Sequence, residues 1–436
     1  MKLKTASLFF ALVCFIQSSI AQEILTLEQA VQIALEKNYN IRLVSNDVEV
    51  SKTNVSRGVS AMLPAVTGNF TNNSTIQNSE QTLSSGQTQS RDGAKNSSTN
   101  YGASLNWLIF DGFGMFARFD QLKELQKLDE SNLRLTVLNT VRDVINTYYN
   151  LVQQQKQIQA TDTAVNISRF RVQTARNRFE IGRASRLEVL AASVDFNTDT
   201  TTLLRQKDTF RSTQVLLNEL LGRDVNTPFT VRDSISFDTG LQLNVLAESA
   251  AKQNPGLQAA IISQRVAELN LKQVKADRYP SISVNTGYNF TKSSSDLGFA
   301  RNSKGNGFNY GLSASVNIFN GFLQKKNERV ANIEIESAKL DRERIALNLN
   351  SQLTSLYNSY VTNLALVELE ESNQKIAKQN LDITLEKFRL GSIAPVEFRE
   401  AQRNFVEATV RYTNAQYQAK LAEVSLKELA GNLDLR

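Results

Sequence analysis

The side chains left to do chemistry in this 436-residue sequence are carboxylates, because it has no histidine and a single cysteine, Cys14. That removes the Ser-His-Asp triad, the His-assisted thiol, His-based zinc or iron sites, disulfide frameworks and Cys-x-x-Cys redox motifs. Catalysis would fall to acidic residues, as a glycosidase pair or as ligands of Mg²⁺ or Ca²⁺. Two carboxylates draw attention by spacing. Glu397 and Glu400 stand three apart just after Pro395, on what would be one face of a helix. Glu188 follows Gly182 by six residues, as Glu397 follows Gly391. The same face of solvated carboxylates is also what an ordinary surface helix carries. No cofactor is called for, and an enzyme is the last reading.

What positions these residues begins with an export signal. Met1-Lys-Leu-Lys4 is a basic start, Ala6 to Ile16 is apolar except for Ser7, and Ser19-Ile20-Ala21 offers small residues for cleavage. Cys14 lies inside this segment, and Val13 before it argues against a lipid anchor. Cleavage after Ala21 leaves a mature chain without cysteine. It carries 47 basic and 43 acidic residues, a formal charge of +4, once Lys2 and Lys4 are gone. So small a balance is no nucleic-acid footprint.

The mature chain reads as one unit written twice, residues 22–240 and 241–436. Leu27–Asn38 recurs as Leu243–Asn254 and Leu63-Pro64 as Tyr279-Pro280, both at an offset of 216. Ile109-Phe-Asp-Gly-Phe113 recurs as Ile318-Phe-Asn-Gly-Phe322, now at 209. Phe179-Glu-Ile-Gly182 recurs as Phe388-Arg-Leu-Gly391, and Leu221-Gly222 as Ala430-Gly431, again at 209. The lost seven residues fall between Pro64 and Tyr101. Each copy predicts helix, two strands, long helix, turn, long helix.

The strands alternate with period two. Over 281–290, Ile282, Val284, Thr286, Tyr288 and Phe290 face Ser281, Ser283, Asn285, Gly287 and Asn289. Phe308, Tyr310, Leu312, Ala314, Val316 and Ile318 do the same over 308–319, as do Tyr101, Ala103, Leu105, Trp107 and Ile109. A fainter partner lies near 65–75. This pattern, with aromatic residues near the ends, suits an outer-membrane strand with one face to lipid and one to water. A soluble hairpin with one buried face is the alternative. The Ser/Thr/Asn/Gln-rich stretches 71–100 and 291–306 predict solvated loops. Four strands cannot close a barrel, and an open edge in lipid strands backbone groups, so other chains must complete the sheet.

The rest predicts helix. Neither proline nor glycine interrupts the chain from Gly114 to about Glu180, or from Phe322 to about Arg389. About 65 helical residues reach on the order of 100 Å. A narrow apolar stripe among many Gln, Asn, Thr and Ser fits coiled-coil contact or the wall of a wet tube. Gly182 and Gly391 end their helices, and Pro395 opens the last one.

With these features in place, the chain resembles the TolC-like outer-membrane efflux proteins over essentially its whole mature length. The residues that carry the likeness are the Leu27–Asn38 and Leu243–Asn254 helices, Pro64 and Pro280 ahead of strands, Phe110-Asp-Gly-Phe113 and Phe319-Asn-Gly-Phe322 after them, and the turns at 179–182 and 388–391. The resemblance implies a mainly α protein with a membrane β-barrel portion. It implies a homotrimer with a shared 12-stranded barrel in outer-membrane lipid and a helical tunnel through the periplasm. A periplasmic adaptor (membrane fusion protein) would dock at the turns holding Phe179, Gly182, Phe388 and Gly391, and an inner-membrane pump would supply energy for tripartite efflux or type I secretion. It places acidic residues at the tunnel mouth, where Glu397, Glu400 and Glu188 would form a ring that favours cations, unless Arg399 pairs with them locally. It also makes Tyr101, Trp107, Tyr288 and Tyr310 candidate interfacial anchors. Two positions depart from the pattern: Ile393 stands where a basic latch residue is found, and Phe388 lacks a tyrosine's hydroxyl. That implies closure by packing and charge repulsion. A trimeric coiled-coil surface stalk without transport is the competing reading.

Overall fold

The computed structural model describes residues 23–232, 234–296 and 300–433. The leader, Cys14 and the cleavage point after Ala21 lie outside the described residues. The chain opens with β1 (Glu23–Leu25), α1 (Leu27–Lys37) and α2 (Tyr39–Asn54). A hairpin follows, β2 (Ala65–Thr82) and β3 (Thr88–Asp111), then α3 (Gly114–Glu180) and α4 (Arg186–Leu220). After β4 (Phe229–Val231) the order returns as α5 (Leu243–Gln253), α6 (Pro255–Ala276), β5 (Ser281–Ser295), β6 (Asn302–Ser315), α7 (Leu323–Arg389) and α8 (Pro395–Leu429). Helices α3 and α7 are each 67 residues long, and α4 and α8 each 35. Among the described residues no helix is long and apolar enough to cross a membrane.

The chain divides into two compact units, and each draws on both sequence copies. One comprises the residues up to Ser45 with Asn132–Leu257 and Ile345 onward; the other comprises Asn46–Ser131 and Gln258–Arg344.

In the first unit, α1 starts on a capping box. Thr26 Oγ1 accepts from the Gln29 amide at 3.3 Å while Gln29 Oε1 accepts from the Thr26 amide at 3.0 Å. Its apolar face (Ala30, Val31, Ala34) packs with Val144, Ile145 and Val152 of α3 and Leu217 of α4. The second copy repeats this: Leu246 and Ala250 of α5 pack with Leu353 and Tyr360 of α7 and Leu426 of α8. The recurring sequence pieces meet one another. Asn38 caps the start of α2, accepting from the Ile41 amide at 3.2 Å, and its Nδ2 donates to the Leu220 carbonyl at 2.8 Å. Asn254 does both for the second copy, accepting from Leu257 and donating to Leu429, each at 3.0 Å. A parallel pairing of β1 with β4 joins the start of the chain to the linker. Three residues per strand are too short to leave a sequence pattern.

The second unit holds a four-stranded antiparallel sheet in the order β2-β3-β5-β6, with β2 and β6 at free edges. Its register puts apolar residues side by side across the strands: Trp107 opposite Val284 opposite Leu312, and Ala103 opposite Tyr288 opposite Phe308. The other face carries Thr67, Ser104, Gly287 and Asn309 in one row. Among the described residues no layer covers the apolar face: Phe70, Phe308, Tyr310 and Leu312 are 72%, 65%, 83% and 70% exposed. A soluble hairpin with one buried side would need that side covered, and in the described chain it is bare.

Two expectations are corrected here. The stretches 71–100 and 291–306 are not loops as a whole; over 71–82, 88–100, 291–295 and 302–306 they extend both hairpins as strand. Alternation is required only where one face meets lipid. Beyond it both faces are wet, so a polar Thr/Ser/Asn ribbon pairs equally well through its backbone and reads like a loop. The strand expected over 308–319 ends instead at Ser315, which pairs with Ser281, the first residue of β5. Pro280 offers no amide for a further rung. A bulge between Leu108 and Phe110 also sets Phe110, not Ile109, opposite Ile282.

Candidate functional site at the helical turns

Both long helices of the first unit end in the same backbone lock. Gly182, at φ 72°, donates to the Phe179 carbonyl at 2.9 Å, and Arg183 donates to the Arg178 carbonyl at 2.7 Å. Gly391, at φ 75°, donates to Phe388 and Ser392 to Lys387, each at 3.0 Å. The left-handed conformation that this double bond demands is the reason for glycine in the Phe-x-x-Gly spacing. Ser185 then caps α4 by accepting from the Glu188 amide at 3.3 Å, while α8 starts with Pro395 in its first turn.

The turns are neighbours, but their phenylalanines differ. Phe388 is 3% exposed and stacks on the fully buried Phe398, centroids 4.8 Å apart at 15°. Leu381, Leu385, Ile393 and Phe405 pack around this pair, together with Ile167 of α3. Arg178 reaches from the other turn to lie over the Phe388 ring at 5.2 Å. Phe179 is 44% exposed. Both departures from the expected pattern are therefore packing positions, and the outward apolar surface of the second turn belongs to Leu390 and Val396 rather than Phe388.

Glu397 and Glu400 are both exposed on α8, and Glu188 is half-buried at the start of α4. Glu400 accepts from Arg403 at 2.8 Å. Arg399 does not pair with either glutamate. Its guanidinium lies 3.5 Å from Asp195 of α4, which Arg171 of α3 also holds at 3.0 Å. A second polar set sits beside it: Gln402 Nε2 donates to Asp199 at 3.0 Å, to Ser168 at 2.9 Å and to the Ala164 carbonyl at 3.1 Å. Ser168 also donates to Asp199. Sequence reasoning missed this Arg171–Asp195–Arg399 and Ser168–Asp199–Gln402 arrangement. The visible signal was the spacing of polar residues along these helices, but Gln402 lies 234 residues from Ser168 in the chain.

Of the aromatic residues on the sheet, Tyr101 stacks on Phe290 at 4.9 Å and 10°. Trp107 Nε1 donates to the Met62 carbonyl at 3.0 Å, and Tyr288 Oη accepts from Asn306 at 2.6 Å. Tyr310, 83% exposed on the apolar face, leans on the Phe308 ring with centroids 6.1 Å apart. No group of three or more acidic or cysteine ligands that could hold a metal occurs among the described residues.

A sequence model described as outer membrane efflux protein matches residues 30–223 and 246–432. The outer membrane protein TolC of Vibrio cholerae is 23% identical over 320 residues, 72% of each chain. The outer membrane efflux protein BepC of Brucella suis is 19% identical over 412 residues, 94% of this chain and 86% of its own. Among solved structures, the CmeC outer membrane channel of Campylobacter jejuni superposes with a TM-score of 0.78 at 17% identity, covering 93% of this chain and 85% of that one.

Proposed function

The chain belongs to the outer membrane efflux protein family, whose members are channels rather than enzymes, and from that premise we propose the assembly and partners that make it an export duct. Three copies join their four-stranded sheets into a 12-stranded barrel in the outer membrane, and the long helices continue it as a tunnel into the periplasm. The observation that carries this reading is the sheet itself: a contiguous bare apolar face with two unpaired edges. Left open in lipid, those edges would cost several kcal/mol per unpaired backbone group. Pairing β6 of one copy with β2 of the next removes both at once. Val316, Ile318 and Phe319, apolar and exposed beyond the last rung of β6, suit the same neighbour.

The mature chain starts near Gln22 after export. A periplasmic adaptor docks at the turns around Phe179, Gly182, Phe388 and Gly391, and an inner-membrane pump drives small molecules, metals or polypeptides through a path that is itself passive. Tyr101, Trp107, Tyr288 and Tyr310 anchor the barrel at the lipid headgroups. At the mouth, Glu397, Glu400 and Glu188 from three copies gather negative charge around the axis, so that the pore prefers cations. Closure rests on the packing of Phe388, Phe398 and Ile393. A coiled-coil stalk is disfavoured because a stalk needs no lipid-facing strand pairs.

The test is conductance of the purified protein in a planar bilayer. A cation-selective trimeric pore blocked by divalent cations is expected. Glu397→Ala combined with Glu400→Ala should lower both selectivity and block; unchanged values would remove the acidic ring, and absence of any conductance would remove the duct.

A further inference from the structure

The sheet contains, inside one chain, a template for the contact between two chains. The sequence repeat relates β2 to β5 by 216 residues and β3 to β6 by 209, and the two hairpins obey both offsets: Ala65 pairs with Asn106, and Ser281 with Ser315. Each sequence copy thus supplies a first and a second strand in one register. Within the chain the second strand of one copy, β3, pairs with the first strand of the other, β5. The open edges, β6 and β2, are again a second strand and a first strand.

The internal pair shows what the open edge lacks. β2 covers β3 only as far as Asn106. The last stretch, 107–111, is strand because β5 holds it, with Trp107 opposite Val284, Leu108 opposite Ser283, Phe110 opposite Ile282 and Asp111 opposite Ser281. The matching stretch 316–320 has no strand partner among the described residues and is not strand, although Val316 and Ile318 continue the alternation of β6. Pro280 stops the ladder on the β5 side; the outer side is open, and Ile318 there is 95% exposed. The turn that follows is short of a neighbour in the same way. A β-carbon on Gly112, at φ 70°, would stand 2.3 Å from the Ala276 carbonyl oxygen, whereas the matching Gly321, at φ 65°, has nothing within 4 Å among the described residues.

We propose that residues 316–320 become strand only against a second copy, whose β2 pairs with β6 in the register that β5 uses with β3. Carried over by the two offsets, that register sets Ser315 opposite Asn69 of the next copy, Val316 opposite Gly68, Asn317 opposite Thr67, Phe319 opposite Val66 and Asn320 opposite Ala65. Ile318 is then the bulged residue, as Ile109 is inside the chain. The faces agree. Val316 meets Gly68 and Ala314 meets Phe70 on the apolar side, large against small, while Ser315 meets Asn69 on the wet side. A slip of one residue would turn Phe70 to the wet side. This rests on the barrel reading above and adds its register and the segment that assembly orders.

The test is disulfide formation in the full-length protein in its membrane, with copper-phenanthroline as oxidant. No cysteine follows Cys14, so an introduced pair has only itself to react with. Ser315→Cys is combined in turn with Asn69→Cys, Thr67→Cys and Thr71→Cys, all on the wet face. Within one chain β2 and β6 lie three strand spacings apart, about 14 Å, which a disulfide cannot bridge, so each bond formed joins two copies. The pair with Asn69→Cys is expected to shift to covalent dimer and trimer on a non-reducing gel. The other two, at diagonal positions roughly 7–8 Å away, should stay largely monomeric. Hydrogen exchange of the unsubstituted protein gives a reading free of any variant: amides of 316–320 should be slowed together with those of 107–111. A stronger cross-link through Thr67→Cys or Thr71→Cys, or fast exchange at 316–320, in a conducting trimer would overturn the inference and leave the barrel standing. A protein that stays monomeric and does not conduct would overturn both.

Discussion

Gly222 and Lys37 meet backbone to backbone: a β-carbon on Gly222 would stand 2.5 Å from the Lys37 carbonyl oxygen, and Gly222 itself sits at φ 63°. Gly431 repeats the approach on Gln253 at 2.6 Å with φ 80°. The obstacle in both cases is main chain, which cannot swing aside. The Asn38-to-Leu220 and Asn254-to-Leu429 bonds depend on the same closeness.

Gly222→Ala should therefore destabilise the protein by more than the ~1–2 kcal/mol that a left-handed alanine costs alone. Gly182→Ala is the contrast, since it has a similar φ but nothing within 4 Å. Chemical denaturation of the two variants side by side checks this. Equal losses would mean that conformation, not the close approach, is what glycine supplies at 222.

Much of this was legible because it repeats. Asn38 and Gly222 recur in the sequence as Asn254 and Gly431, and the helices free of proline and glycine end within a few residues of where sequence places them. What escaped notice had a physical reason. The polar ends of both hairpins look like loops because water on two faces erases the alternation that burial imposes. Arg399 lies between Glu397 and Glu400 in sequence, yet it sits on a different side of α8 and finds Asp195 on α4 instead. The cluster at Asp199 joins residues 168, 199 and 402, and nothing local marks such a meeting.

The pairing of Arg399 and Arg403 makes a second prediction. Arg403 is the residue that partly neutralises Glu400, at 2.8 Å, while Arg399 serves Asp195. Arg403→Ala should raise cation selectivity in a bilayer more than Arg399→Ala does. Both pairs have a half-exposed arginine, so each substitution should cost no more than about 1 kcal/mol of stability. Reversal potentials measured across a salt gradient separate the two variants, and an equal shift would sink the assignment.

A third prediction concerns alkaline pH. Burial, reinforced by the nearby Glu423 carboxylate, pushes the phenols of Tyr149 and Tyr360 up to about 12 from 10.0. Below pH 10 both are neutral whether the chain is folded or unfolded, and their contribution is intact. Between pH 10 and 12 the unfolded chain releases protons that the fold retains, so stability falls across that window. Lys427, which burial lowers but its hydrogen bonds and attraction to Glu423 and Asp238 raise on balance, loses its contribution in the same direction. Asp238 is lowered, chiefly by its bond to Lys427, and loses its contribution at the acid end, as pH falls through its folded value. Tyr360→Phe forfeits the hydrogen bond to the Asp238 carbonyl, about 1 kcal/mol at pH 8, but should flatten the decline above pH 10. Melting temperatures from pH 8 to 12 for the variant and the parent check it; parallel curves would show that Tyr360 does not titrate as argued.

The last prediction separates the two faces of the sheet. Leu312 lies opposite Val284 on the apolar side, and its neighbour Ser313 lies opposite Ser283 on the polar side. In a barrel the first meets hydrocarbon and the second meets water. Leu312→Lys should then cost about 2–4 kcal/mol near the bilayer midplane, whereas Ser313→Lys should be nearly free. The difference is read from the amount of assembled protein in the outer-membrane fraction: strongly reduced for Leu312→Lys and close to the parent for Ser313→Lys. A soluble sheet with both faces wet would tolerate the two alike, so equal recovery would count against lipid on the Leu312 side. Loss of the serine variant alone would reverse which face of β6 is turned to the membrane.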